Sequence, residues 1–363
     1  MNDREFEQYL TEGVENVVKD LLKASLFHPS ESAFMLRFAA ACKHADDLRH
    51  KFEEKGEHIP PFLIASITSI CNLHCAGCYA RSLDACSDGS PVQQLSAEQW
   101  GKVFSEAIDL GISFILLAGG EPMVRMDIIE EAAEYPDILF PIFTNGTLID
   151  DERLAFMDKH RNLIPVFSVE GGQLSTDARR GQGIFDKVQS VMLKMQKKRL
   201  VFGASVTVTT DNMSEVTSDQ FIKNLTDSGC KLIFYIEYVP TEYSSKALAL
   251  NDEMREQLAV RVDELRMGND SALFISFPGD EKLSDGCLAA GRGFFHINSH
   301  GGAEPCPFSP YSDVNVTETS LREALKSKLF IALRSGNILL DEHDGGCVLF
   351  QKKEEVEKLL SNC

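Results

Sequence analysis

Three cysteines crowd the stretch Ser-Ile-Cys-Asn-Leu-His-Cys-Ala-Gly-Cys-Tyr-Ala, where Cys71, Cys75 and Cys78 have three and then two residues between them. Thiolates this close can share one tetrahedral ion or one iron–sulfur cubane. A closed zinc site wants a fourth ligand, and His74, the only other candidate in the stretch, is restricted by its neighbours from folding back. On a four-iron cluster, three thiolates leave one iron open to bind something else. A second set, Cys287, Cys306 and Cys347, has eighteen and then forty residues between its members and sits beside Asp-Gly, Pro and Gly-Gly turns. Such loop positions suit metal ligands, with zinc or a cluster as the alternatives. Cys42 lies in a helical pattern and Cys230 begins a strand pattern, so both read as small buried hydrophobes. Cys86 stands in a polar loop and reads as exposed, and His74 reads as solvent-facing.

The rest of the composition limits what these thiols do. The chain has 363 residues, 44% of them hydrophobic, a formal charge of −19 and a pI near 4.9. That balance excludes broad nucleic-acid or anionic-membrane binding, which needs Lys/Arg patches. The opening residues are polar and acidic, unlike a signal peptide. The longest apolar runs are far too short to span a bilayer. A soluble cytoplasmic protein is expected, in which ten cysteines are metal ligands or buried thiols rather than a disulfide framework.

The elements that position the thiols follow from periodicity. Residues 1–58 read as two helices with apolar residues three to four apart, broken at Pro60 and Pro61. A βα alternation then begins, with strands expected at 62–69, 113–118, 138–144, 163–168, 202–210 and 231–239. Helical patterns fall at 96–111, 150–160, 184–199, 218–228 and 251–267. Ser96 and Gln99 form a capping box for the first of these, and Gly111 ends it. Six β-branched strands alternating with helices predict an α/β fold with a parallel sheet, curled into a partial barrel or left open. The first thiol set would then sit at the C-terminal edge of that sheet, where ligand sites gather. After about residue 270 comes one further strand candidate, at 272–277, then glycine-rich sequence and two helical patterns, 319–334 and 351–361.

The Cys-x-x-x-Cys-x-x-Cys motif after a first strand resembles the signature of the radical S-adenosylmethionine (SAM) enzymes. The resemblance implies a (β/α)6 partial TIM-type barrel and a 4Fe–4S cluster on Cys71, Cys75 and Cys78 whose open iron chelates SAM. It implies reductive cleavage of SAM to a 5′-deoxyadenosyl radical that abstracts hydrogen from a substrate. Gly119, Gly120 and Glu121 match the family's GGEP segment, whose carbonyls receive the SAM ammonium. Asn145 matches a Thr-Asn-Gly segment. Ser168 and Glu170, in Ser-Val-Glu-Gly, resemble the sulfatase-maturase-like branch, with Glu for Asp. Twelve residues on, Arg180 would hold the SAM carboxylate with Ser168, while Arg179 reads as a solvated loop charge. One departure is Gly77, where the family usually carries an aromatic before the third cysteine.

Cys287 to Cys306 resembles the opening of the SPASM/twitch modules, which hold auxiliary 4Fe–4S clusters, with one extra residue before Gly291. The fourth position there is open to substrate, or filled by Cys363, by a histidine such as His343, or by a non-cysteine ligand. The expected division is residues 1–58 helical, 59–274 barrel and 275–363 SPASM/twitch-like extension. Expected partners are a ferredoxin or flavodoxin reductant and a peptide or small-molecule substrate. Glu237, at the end of the sixth strand, is a catalytic candidate because a barrel-interior carboxylate is costly without a partner. The competing reading is a non-catalytic iron–sulfur or zinc protein serving electron transfer or as a scaffold.

Overall fold

The computed structural model describes residues 29–89, 92–269, 271–284, 286–340 and 347–363, together with Lys19. The first expected helix otherwise lies outside the described residues. One sheet of nine strands organises the chain, in the order β7-β6-β5-β4-β3-β2-β1-β8-β9. Its strands are β1 (Phe62–Thr68), β2 (Phe114–Gly119), β3 (Phe140–Thr144), β4 (Leu163–Val169), β5 (Gly203–Val208), β6 (Leu232–Glu237), β7 (Leu273–Phe277), β8 (Phe294–Ile297) and β9 (Ala303–Glu304). All neighbours pair parallel except β8 with β9. The sheet is open rather than closed, a partial barrel. β1 to β6 are the six strands expected, with ends shifted by one to two residues.

The strands are apolar along their length because both sheet faces are covered. The helix Ala97–Leu110 forms as its sequence dictates: Ser96 and Gln99 make the reciprocal capping box, and Gly111 ends the helix at φ +82°. Two eight-residue helices escaped the periodicity, Met126–Ala133 and Gln173–Arg180, as did single turns such as Tyr79–Ser82 and Met213–Val216. The pattern at 319–334 resolves into Leu321–Ala324 and Lys328–Ser335, each capped by its own serine.

The helix Pro29–Glu53 covers one end of the barrel. Met35, Phe38 and Cys42 pack against Phe114, Leu139, Ile164 and Leu232, residues that begin strands or directly precede them. Full burial of such side chains stabilises by roughly 1.5–3 kcal/mol each. Arg49 donates to Gly111 O at 2.6 Å, and Arg161 pairs with buried Glu31. This helix therefore closes the N-terminal end of the strands and leaves the C-terminal end for chemistry.

At the other edge, β8 pairs with β1 in parallel, and β9 returns beside it as a hairpin. A buried network fastens it: His296 bridges Ser66 Oγ and Glu304 Oε2, both at 2.7 Å. The expected boundary at 274/275 falls within β7, and the extension's hairpin continues the barrel's own sheet. Among the described residues, no helix is long and apolar enough to cross a membrane.

Candidate active site

The thiol loop leaves β1 and runs over the C-terminal end of β2. Gly120 N donates to Thr68 O at 2.7 Å and Glu121 N to Ile70 O at 2.8 Å, so β2 ends by holding the start of the loop. This approach demands glycine. A Cβ on Gly120 would stand 2.5 Å from Ile70 C and 3.0 Å from Cys71 N, while Gly119 has φ +118° and faces Thr68 O. Glu121 is buried and accepts from Met123 N, Thr144 Oγ1 and Asn145 N at 3.0, 2.7 and 2.8 Å. Its carboxyl, pushed up to about 7 mainly by burial, clamps the end of β3 to that of β2. Asn145 Nδ2 donates to Asn72 Oδ1 at 2.9 Å, tying the Thr-Asn-Gly turn to the same loop.

Residues outside the motifs shape the loop. Arg81 donates to Leu73 O at 2.9 Å and to Cys71 O at 3.2 Å. Cys86 is 6% exposed, not the exposed thiol its polar surroundings predicted, because the pairing of Ile70 with Ser87 draws it inward. The neighbouring Cys86 thiol is the main cause that lowers the Cys71 thiol, against the opposing effect of burial. Leu73 N–H, 3.5 Å from Cys71 Sγ, adds to that lowering, whereas burial raises Cys75. His74 pairs with Asp88 at 2.9 Å in solvent.

The helix Gln173–Arg180 latches onto the loop. Arg179 O accepts from Ala76 N at 2.8 Å, and Arg179 Nε donates to Ala76 O at 3.1 Å. Arg179 is thus no solvated charge. Its Nη1 also lies 2.9 Å from Glu170 Oε1, an ion-pair contact without hydrogen-bond geometry. Arg180 donates Nε and Nη2 to the same oxygen at 2.8 and 2.5 Å. The glutamate that replaces the expected aspartate therefore draws both guanidinium groups together.

Gly77 also has a local reason. Its φ is +65°, and a Cβ there would be 2.6 Å from the Tyr238 hydroxyl, so the Tyr238 ring occupies the space beside the third cysteine. That hydroxyl is buried and has no hydrogen-bond partner among the described residues. Because β6 ends at Glu237, strand alternation no longer governs the next residue, and Glu237 and Tyr238 both reach the cavity. Glu237 receives Arg255 Nε at 3.1 Å, with both side chains at most 10% exposed. This pairing removes the electrostatic reason for a substrate contact at Glu237. Thr209 donates to Asn212 Oδ1 at 3.0 Å, a local packing role.

These elements enclose a cavity of about 330 Å³, lined by Cys71, Cys75, Cys78, Ser168 and Arg180, with apolar walls that include Phe143 and Phe234. Cys306 lines the same cavity from the extension, and Tyr79 packs on Phe308 with ring centroids 4.6 Å apart. Cys306 also lines a smaller void with Cys287 and Cys347, so the second thiol set converges and abuts the first site. The extra residue before Gly291 is absorbed by left-handed backbone, Ala290 at φ +54° and Gly291 at +80°. Among the described residues, no three His, Cys, Asp or Glu side chains are arranged to hold a single ion. The donor chemistry, three thiols in each set beside a shared cavity wall, suits iron–sulfur clusters, which distribute ligands over several irons.

Residues 65–225 match the family described as the Radical SAM superfamily. The chain is 25% identical over 322 residues to the AdoMet-dependent heme synthase of Methanosarcina barkeri, covering 81% of this chain and 89% of that protein. It is 23% identical over 287 residues to the sporulation killing factor maturation protein SkfB of Bacillus subtilis, covering 77% and 68% respectively. Streptococcus suis SuiB bound to S-adenosylmethionine shares the fold with a TM-score of 0.67 at 16% identity, over 94% of this chain and 85% of that one. The enzyme anSMEcpe, with AdoMet and the Cp18Cys peptide, shares it at 0.61 and 17%, over 80% and 87%.

Proposed function

We propose that Cys71, Cys75 and Cys78 hold the 4Fe–4S cluster of a SAM-cleaving enzyme and leave one iron for SAM. The single observation that carries this reading is the cavity into which all three thiols, the Gly119–Gly120 turn, Asn145, Ser168 and Arg180 project. When bound, the cluster supplies the electron that splits SAM into methionine and a 5′-deoxyadenosyl radical. The chain's own contribution is positional. Gly119 and Gly120 allow the close backbone approach, and Glu121 and Asn145 fix the loop against β3. Arg180, its fork set by Glu170, faces the SAM carboxylate together with Ser168. The apolar walls exclude water, which protects a radical from side reactions.

Cys287, Cys306 and Cys347 hold an auxiliary 4Fe–4S cluster at the far wall of this cavity, and the substrate lies between the two. The barrel at 59–274 carries the radical chemistry, the extension at 275–363 the second cluster, and the helix Pro29–Glu53 the cover at the opposite end. Two substrate classes follow from these likenesses, a heme precursor from the named heme synthase and a peptide from the peptide-bound SuiB and anSMEcpe structures. A ferredoxin or flavodoxin supplies the electron, in the cytoplasm, where free thiols survive.

The test is anaerobic turnover with dithionite and SAM, assayed for 5′-deoxyadenosine, first alone and then with an iron porphyrin or a precursor peptide. Alanine at Cys71, Cys75 or Cys78 abolishes cleavage, and retained product in all three variants defeats the assignment. Arg180→Lys keeps the charge opposite Glu170 but loses the fork, so SAM binding weakens. Unchanged affinity would show that the carboxylate is held elsewhere. The Cys287/Cys306/Cys347 triple alanine variant loses iron while retaining SAM cleavage, and unchanged iron removes the second cluster.

A further inference from the structure

The second thiol set offers three cysteines, whereas a fully protein-held cubane takes four ligands. Of the sequence's candidates for the fourth, Cys363 stands apart from the trio. Cys363 follows the helix Lys353–Ser361, where its Sγ donates to Leu359 O at 3.2 Å, and it does not line the void shared by Cys287, Cys306 and Cys347. His343 lies outside the described residues. Two carboxylates do line that void, Glu237 and Glu281. Glu237 is engaged by Arg255.

We propose that Glu281 is the fourth ligand of the auxiliary cluster, completing a set of three thiolates and one carboxylate. This rests on the reading that the trio holds a cluster. Glu281 is 7% exposed, and its Oε1 lies 3.8 Å from Cys287 Sγ and accepts from Leu288 N at 3.3 Å. Its backbone is set by the turn Gly279–Ser284 that follows β7, where Glu281 N donates to Pro278 O at 2.8 Å. The neighbouring Asp280 anchors that turn: it accepts from Ser276 N at 2.9 Å and from Arg266 Nη2 at 2.8 and 2.7 Å. With Asp280 fastened to the barrel helix, the next side chain is delivered to the thiols. Arg292 donates to Cys287 O at 2.6 Å and secures the opposite side. A carboxylate is a harder, less electron-donating ligand than a thiolate, so the iron it holds is distinct from the other three.

The test uses the full chain carrying alanine at Cys71, Cys75 and Cys78, so that only the second site contributes signal. Reconstituted anaerobically with iron and sulfide, this parent holds about four irons. Glu281→Ala and the isosteric Glu281→Gln lose one or more irons or change the electron paramagnetic resonance spectrum of the reduced cluster. Glu281→Cys restores the iron with a lower midpoint potential. Parent-like iron, spectrum and potential in both the alanine and glutamine variants overturn the proposal, as does loss of the signal in His343→Ala alone. If the parent holds no more iron than a chain also lacking Cys287, Cys306 and Cys347, the cluster reading itself fails and the ligand assignment falls with it.

Discussion

Replacing Gly120 by alanine tests whether close backbone approach, rather than any side chain, places the first thiol. The new Cβ would lie 2.5 Å from Ile70 C and 3.0 Å from Cys71 N, and every one of those neighbours is backbone. Carbon atoms settle near 3.5–4.0 Å, so the loop must retreat by about 1 Å. Retreat strains the bonds from Gly120 N to Thr68 O and from Glu121 N to Ile70 O. Overpacking costs about 1–3 kcal/mol, and one lost hydrogen bond about 0.5–1.5 kcal/mol. A destabilisation of about 2–4 kcal/mol follows, with the displacement directed at Cys71 itself. Misplacement on this scale at a reacting centre costs on the order of 100-fold in rate. The assays are denaturant unfolding, anaerobic iron content and 5′-deoxyadenosine formation. Gly268→Ala is the control, because its Cβ meets nothing within 4 Å. A Gly120→Ala protein with wild-type iron, stability and turnover would refute the reasoning.

Other perturbations test the surrounding framework. Arg255→Met strands Glu237 as a buried charge and should cost about 3–5 kcal/mol in unfolding experiments, with much of it recovered in the Glu237→Gln/Arg255→Met double variant. If Glu237→Gln instead abolishes turnover while stability is unchanged, Glu237 acts on substrate. The Glu121 carboxyl stands at about 7 in the folded chain against 4.5 as its ordinary value. The folded state therefore holds the proton longer, and stability falls as pH rises from about 4.5 to about 7, by roughly 3 kcal/mol, then levels. Glu121→Gln removes this component, so the wild-type protein loses stability relative to the variant as pH rises through this window; a pH-independent difference would contradict it. His296→Leu leaves Glu304 buried beside Asn298 and should loosen the β8–β9 hairpin, which hydrogen exchange at Phe295 and Ile297 would report. Unaltered protection there would show that the network does not fasten the hairpin.

What the linear chain fixed by itself was local. Three thiols within eight positions, a capping box four residues long, strands of five to seven residues and glycines at tight turns need only their neighbours, so their placement was legible. The motif order along β1 to β4 also sufficed to bring Ser168 and Arg180 to the thiols' cavity, because parallel strands deliver all their C-terminal ends to one side. The short helices Met126–Ala133 and Gln173–Arg180 were not legible, since two turns carry too little periodicity.

Only the tertiary structure decided the pairings across distance. Cys86 comes inward because Ser87 bridges Ile70, and Tyr238 fills the space that Gly77 leaves, although the two are far apart in sequence. Arg255 neutralises Glu237 from a helix, and Glu170 draws Arg179 and Arg180 together. The extension joins the barrel's sheet through β8, which brings Cys306 to the wall of the first cavity and Glu281 to Cys287. Buried charges and buried hydrogen-bonding groups require partners, but a sequence states only the requirement; the fold chooses which distant side chain meets it.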